Sequence, residues 1–168
     1  MLRELERAAY RFTAQGAEYS LRYDMRALLA LEKAGVSWRD IFKPSITHGV
    51  LCAFLEAGGI PRESAAELLR RGEVHEIWAH CRRAVLLALP ARDPDVIEIP
   101  KRSGDELDTA RGMKRLRCFV CDVMRKPESF FWESTMRELI ERWQEFAVAK
   151  GYAKEPERVQ RFDTEGME

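Results

Sequence analysis

Apolar and polar positions divide this chain into short blocks, most of them at helical spacing. Near the start, Tyr19, Leu21 and Tyr23 alternate with Ser20 and Arg22, the period of a half-buried strand. With residues 10–13 as a first arm and Gln15-Gly16 as the turn, this predicts a β-hairpin whose second strand covers 18–23. Asp24 then caps a helix predicted over 25–34, with Leu28, Leu29 and Leu31 on its apolar side and Gly35 as its stop. Trp38, Ile41 and Phe42 form a short helical or turn segment before Pro44. Ser45 is the expected N-cap of a helix over 46–57, with Val50, Leu51, Phe54 and Leu55 inward and Gly58-Gly59 at its end. Two more helices follow, over 61–71 with Leu68 and Leu69 inward, and over 74–89 carrying Ile77, Trp78, Cys81, Val85, Leu87 and Leu89. Short helices and tight connections predict a compact, mainly helical domain over residues 1–90, with the hairpin packed on it.

Pro90 changes the texture. Residues 91–112 are rich in charges and, with Pro94 and Pro100, poor in large apolar groups, so they read as a linker. A small C-terminal helical module is expected over 113–168. Its first helix, over 113–124, would place Leu116, Phe119, Val120 and Val123 on one side. Its centre is the segment 126–151, KPESFFWESTMRELIERWQEFAVAKG. Thr135 and Glu138 have the capping-box spacing, in which hydroxyl and carboxylate each satisfy a free backbone N–H. Behind the cap, Met136, Leu139, Ile140, Trp143, Phe146 and Ala147 recur at helical spacing, and Gly151 supplies the stop. The tail after Lys154 is polar and expected to fray.

Composition narrows the function more than the fold. The 28 basic and 28 acidic residues cancel, which lacks the basic surplus expected of a general nucleic-acid binder. The opening MLRELERAAYRF is charged throughout and does not read as a signal peptide. No apolar run approaches the ~20 residues of a membrane span. Four cysteines without an export signal suggest free thiols in a reducing compartment.

Candidate chemistry is sparse. His75-Glu76 and His80 resemble a zinc-protease motif, but the histidines are five apart rather than four. On a helix that turns the second imidazole about 140° from the first, so two ordinary helix histidines are expected. Cys118 and Cys121 form a single CxxC, half of what a structural zinc needs, and core packing is the default for the pair. Arg82-Arg83 and the cluster Lys114, Arg115 and Arg117 could touch phosphate, although such clusters are usually solvated faces. No glycine-rich phosphate loop and no marked acid–base pair are present. No enzymatic activity, cofactor or metal is expected. The aromatic run Phe130, Phe131 and Trp132 has two readings, as core of a small module or as a surface for a partner.

Two stretches resemble one family. The first runs Tyr19-Ser20-Leu21-Arg22-Tyr23-Asp24-Met25-Arg26-Ala27-Leu28-Leu29-Ala30-Leu31-Glu32, a strand feeding a helix. It resembles the N-terminal domain of bacteriophage tail assembly chaperones, as do the turn over 35–42 and the segment LCAFLEAG over 51–58. The second is Phe131-Trp132-Glu133-Ser134-Thr135 with Glu138 and Leu139, similar to the Phe-Trp-x-x-Thr-x-x-Glu-Leu signature of the same chaperones' C-terminal extension. Together these stretches cover about half the chain, and residues 90–124 between them match no family pattern. The resemblance implies a non-enzymatic assembly factor in the host cytoplasm, absent from the mature virion. Its N-terminal domain would coat the tape-measure protein in several copies, self-associating along it. Its C-terminal segment would recruit tail-tube subunits. The partner-binding candidates are Phe131, Trp132, Thr135 and Glu138 from that signature, together with Phe130 of the aromatic run and Trp143 of the helix behind it; no nucleic acid and no membrane are expected among the partners. A rival reading is a small helical DNA-binding regulator, using residues 46–71 as a helix-turn-helix with Pro61, Arg62, Glu63 and Ser64 toward a groove.

Overall fold

The computed structural model describes residues 9–90 and 105–152. It is mainly helical, with a two-stranded antiparallel hairpin at the front. Strand β1 (Tyr10–Ala14) pairs with β2 (Ala17–Leu21), with Phe12 opposite Tyr19 and Tyr10 opposite Leu21. The alternation does its work here: Leu21 and Tyr23 are buried, while Arg22 points the other way. The strand stops at Leu21 rather than Tyr23 because the Arg22 N–H leaves the hairpin and donates to Gly58 O at 2.9 Å.

Helix α1 (Met25–Lys33) is capped by the Asp24 carboxylate, which accepts from Ala27 N at 2.8 Å. It closes on Gly35, whose N–H reaches Glu32 O while Val36 N reaches Leu31 O. Gly35 has φ 72°, a left-handed conformation that costs glycine little. A 3₁₀ turn (Trp38–Phe42) follows. Helix α2 (His48–Ala57) starts later than the sequence pattern suggests, and its cap is Thr47, not Ser45. Thr47 is extended and its hydroxyl accepts from Val50 N at 3.4 Å. Helices α3 (Arg62–Arg71) and α4 (Val74–Ala88) complete the first layer. The buried stripe of α4 is Ile77, Trp78, Cys81, Ala84, Val85 and Ala88. Leu87, expected inward, lies off that stripe and is 46% exposed. Leu89 is the C-cap residue rather than part of the helix.

Gly58 marks a close approach. A Cβ there would meet Leu21 Cδ2 at 2.5 Å and the Tyr23 ring at 3.2 Å. The hairpin therefore lies directly on the end of α2, and Tyr23 closes the contact by donating to Phe54 O at 2.8 Å. Burial pushes the Tyr23 phenol well above its ordinary range, so it stays a hydrogen-bond donor.

Helix α5 (Asp105–Cys118) begins inside the stretch that reads as a linker; residues 91–104 and the tail over 153–168 lie outside the described residues. At Phe119 the winding loosens into a π-turn (Phe119–Val123), with Met124 N bonded to Phe119 O at 2.9 Å. Slower winding keeps Phe119 and Val120 inward but swings Val123 off the expected face, leaving it 49% exposed. Helix α6 (Glu128–Glu133) carries the aromatic run, and α7 (Met136–Ala149) follows its capping box.

Among the described residues two hydrophobic cores result. The larger gathers the hairpin, the inner face of α1 and α2–α4 around Phe54, Leu51 and Val85. The smaller joins Met25 and Leu28 of α1 to Phe119, Val120, Phe131 and Leu139. Helix α1 thus serves both, with Ala27 and Leu31 on one side and Met25 and Leu28 on the other.

Candidate partner-binding surface

The capping box predicted at Thr135 is present, and it carries more than the helix start. Thr135 Oγ1 accepts from Glu138 N at 3.2 Å, and Glu138 Oε2 accepts from Thr135 N at 2.7 Å. The same carboxylate receives Arg22 Nη2 at 3.0 and 3.1 Å, and that nitrogen also donates to Glu133 O at 3.0 Å. Beside it the backbones pair as an antiparallel bridge between Asp24 and Thr135, with Met25 N donating to Ser134 O at 3.0 Å. Thr135 and Ser134 are buried in this joint. Thr135 and Glu138, expected at a partner surface, thus lock the C-terminal helices onto the strand-to-helix junction at 22–25.

A second tie comes from the adjacent position on α7. Arg137 donates to Leu89 O at 2.7 Å and to Leu86 O at 2.9 Å, satisfying carbonyls that the end of α4 leaves free.

The aromatic run divides between its two readings. Phe131 is 2% exposed, inside the smaller core. Phe130 and Trp132 are half-buried against that core, with Arg142 over the Phe130 ring at 5.2 Å. Trp132 Nε1 donates to Glu128 at 3.0 Å, and Arg117 reaches the same carboxylate at 2.9 Å, so Glu128 fastens α6 to α5. The Trp132 hydrogen bond and the Arg117 charge hold Glu128 below its usual range. In this conformation the run is chiefly the module's own core.

Trp143 is different. It stands edge-on to Phe119 with ring centres 5.0 Å apart, yet remains 44% exposed. It lines an apolar groove of about 910 Å³ that opens between α5, the π-turn and α7. Met113, Leu116, Phe119, Val123, Met136 and Ile140 supply the rest of the apolar lining, and Lys114, Arg115 and Asp122 the charges. A smaller hollow of about 450 Å³ shares Met113, Lys114 and Met136 and runs on toward Leu29, Trp38 and Trp132. Periodicity found both walls of this groove, the stripe of α7 and Leu116, Phe119 and Val123 in the helix expected over 113–124, although α5 itself begins earlier, in the region read as linker.

Other candidates have structural work. Arg82 donates to Ile41 O and Lys43 O, both at 3.1 Å, and caps the 3₁₀ turn. His75 is exposed near Glu73 and Glu76, whereas His80 lies on the hairpin, 2.9 Å from the Tyr10 hydroxyl and stacked on Phe12. The two imidazoles share no site. Cys118 is exposed and Cys121 half-buried, so neither belongs to the core as expected. On α3, Glu67 pairs with both Arg70 and Arg71, and the Arg70 hydrogen bond holds it below the usual carboxylate range. Among the described residues no helix is long and apolar enough to cross a membrane. Comparison with protein families, curated proteins and solved structures finds no match for this chain.

Proposed function

We propose that this protein is a non-enzymatic assembly chaperone of long-tailed phages, acting in the host cytoplasm on a tape-measure protein and on tail-tube subunits. One observation carries the reading. The two segments that resemble the family meet in one joint, although Arg22 and Glu138 are 116 positions apart: Arg22, Asp24 and Met25 of the first hold Glu138, Thr135 and Ser134 of the second. A strand–helix junction and a Phe-Trp-x-x-Thr-x-x-Glu-Leu segment have reason to occur together if each completes the other's fold. The described surface adds an open apolar groove rather than a polar pocket, which suits binding of a chain more than turnover of a small molecule. Recruitment of tube subunits would fall to residues that stay accessible, Trp143 above all, because Phe131 and Thr135 are already enclosed.

The test is co-expression with the long helical product of a neighbouring gene. The expected result is that the long protein stays soluble and co-purifies only with this chain. Precipitation of the long protein regardless of its presence would remove the proposal. Tube protein that co-purifies equally with wild type and Trp143→Ala would remove the role given to Trp143.

A further inference from the structure

We propose that the groove between α5, the π-turn and α7 is a docking site for an amphipathic helix of a partner protein, with an apolar stripe flanked by carboxylates. The proposal takes only protein binding from the reading above, and its test contains no phage component, so the two can fail separately.

The shape argues for a helix. A void of about 910 Å³ between two helices is near the top of the range for small-ligand pockets, ~300–1,000 Å³. Such pockets are also largely apolar, but they fix their ligands with a few polar groups that converge on the ligand. Here the lining is almost wholly apolar, and its charges, Lys114, Arg115 and Asp122, belong to α5 and the π-turn rather than to α7. Two helices with a trough of Leu, Ile, Phe and Trp between them offer what a third helix fills with side chains at i, i+3, i+4 and i+7.

The lining also says how selective the site is. Met113 and Met136 face the groove from opposite walls and also border the neighbouring hollow. Methionine is unbranched and repacks around different shapes, so paired methionines suit helices of varied sequence better than one fixed anchor. Trp143 and Val123, each nearly half exposed, provide the rigid edges.

Charge gives the partner its sign. On the α5 wall Lys114, Arg115 and Arg117 are exposed, and Arg125 and Lys126 are exposed just beyond the π-turn. Arg117 is engaged by Glu128. Lys114 and Arg115 remain in the groove lining, with Asp122 about two turns further along. A helix lying along this wall gains by presenting Glu or Asp beside its apolar stripe and loses by presenting Lys.

The experiment uses full-length protein and three fluorescent synthetic peptides, read by anisotropy. One has a Leu/Met stripe flanked by Glu, the second the same stripe flanked by Lys, and the third the Glu peptide with its order scrambled. The Glu-flanked peptide is expected to bind, and the other two at least about tenfold more weakly. Trp143→Ala should weaken binding at least about tenfold, the loss of one hot-spot side chain. Val123→Lys serves as a second probe should Trp143→Ala unfold. The pair Lys114→Glu with Arg115→Glu should reverse the preference between Glu- and Lys-flanked peptides. Equal binding of all three peptides, or none at all, overturns the proposal. It is also overturned if deleting residues 153–168 is what opens the groove to peptide, since the chain's own tail is then the occupant. Dimerisation of the protein that Trp143→Ala abolishes would overturn it too, making a second copy the occupant.

Discussion

Breaking the contact between Arg22 and Glu138 should weaken the fold by an amount the geometry sets. The two side chains are 17% and 30% exposed, so the pair is neither fully solvated nor dry. One guanidinium nitrogen serves three acceptors, both Glu138 oxygens and Glu133 O, with only two hydrogens to give. The carboxylate contact is therefore a shared bond from one nitrogen, not the stronger parallel fork. A hydrogen bond to a charged group contributes ~1.5–3 kcal/mol, and an exposed ion pair ~0.2–1 kcal/mol. A coupling of about 1–2 kcal/mol lies between them. Arg22→Ala also strips a donor from Glu133 O, so the single variant should lose about 2 kcal/mol. Glu138→Ala additionally loses the reciprocal cap on Thr135 N, about 1 kcal/mol more. Those extra terms cancel in a double-mutant cycle, which leaves the pair. Urea unfolding of wild type, both singles and the double, followed by tryptophan fluorescence and far-UV circular dichroism, gives the coupling directly. A value below about 0.3 kcal/mol, the usual error of additivity, would refute the account of the joint.

Three further outcomes follow from single side chains. Gly58→Ala should destabilise by about 1–3 kcal/mol in the same assay, because its Cβ would sit 2.5 Å from Leu21 Cδ2 with Phe54 O and the Tyr23 ring also crowding it. His80 is pushed below its ordinary value of 6.5, first by burial and then by Arg83, with Glu76 opposing. The unfolded chain therefore takes up the proton first on acidification, so His80's contribution is whole above 6.5 and is lost as pH falls below it toward the folded value. His80→Gln should flatten the stability–pH curve between neutral pH and that lower limit. Thiol labelling of native protein should modify exposed Cys118 quickly and leave Cys81 untouched until unfolding, since burial pushes the Cys81 thiol up to about 12.

Local chemistry was legible in the chain, and distant partnership was not. Asp24, Gly35, Thr135 with Glu138, and Gly151 announce helix ends because a cap and the N–H or carbonyl it serves lie within a few residues. Ser45 misled because a serine two residues before Thr47 carries the same signal, and only the path of the backbone decides which hydroxyl reaches Val50 N. The π-turn has no periodic signature: Phe119, Val120 and Val123 fit an α-helical face until one turn is widened. Arg22 reads as the outward residue of an alternating strand, and nothing near it in sequence names a carboxylate 116 positions away. Trp143 falls on the apolar side of α7 as its spacing predicts, but spacing cannot tell whether a neighbour covers that side.

The shared use of α1 has a consequence for synthesis. Met25 and Leu28 belong to a core whose other members, Phe119 to Leu139, leave the ribosome much later. At ~5–20 residues per second, the 116 positions between Arg22 and Glu138 take about 6–23 s to translate. That is ample time for the hairpin and α1–α4 to assemble around their own core, whose contacts lie within the first ninety residues. For those seconds the nascent chain presents Met25 and Leu28 uncovered, so the order of translation gives any partner already bound to the first half a head start over the chain's own second half.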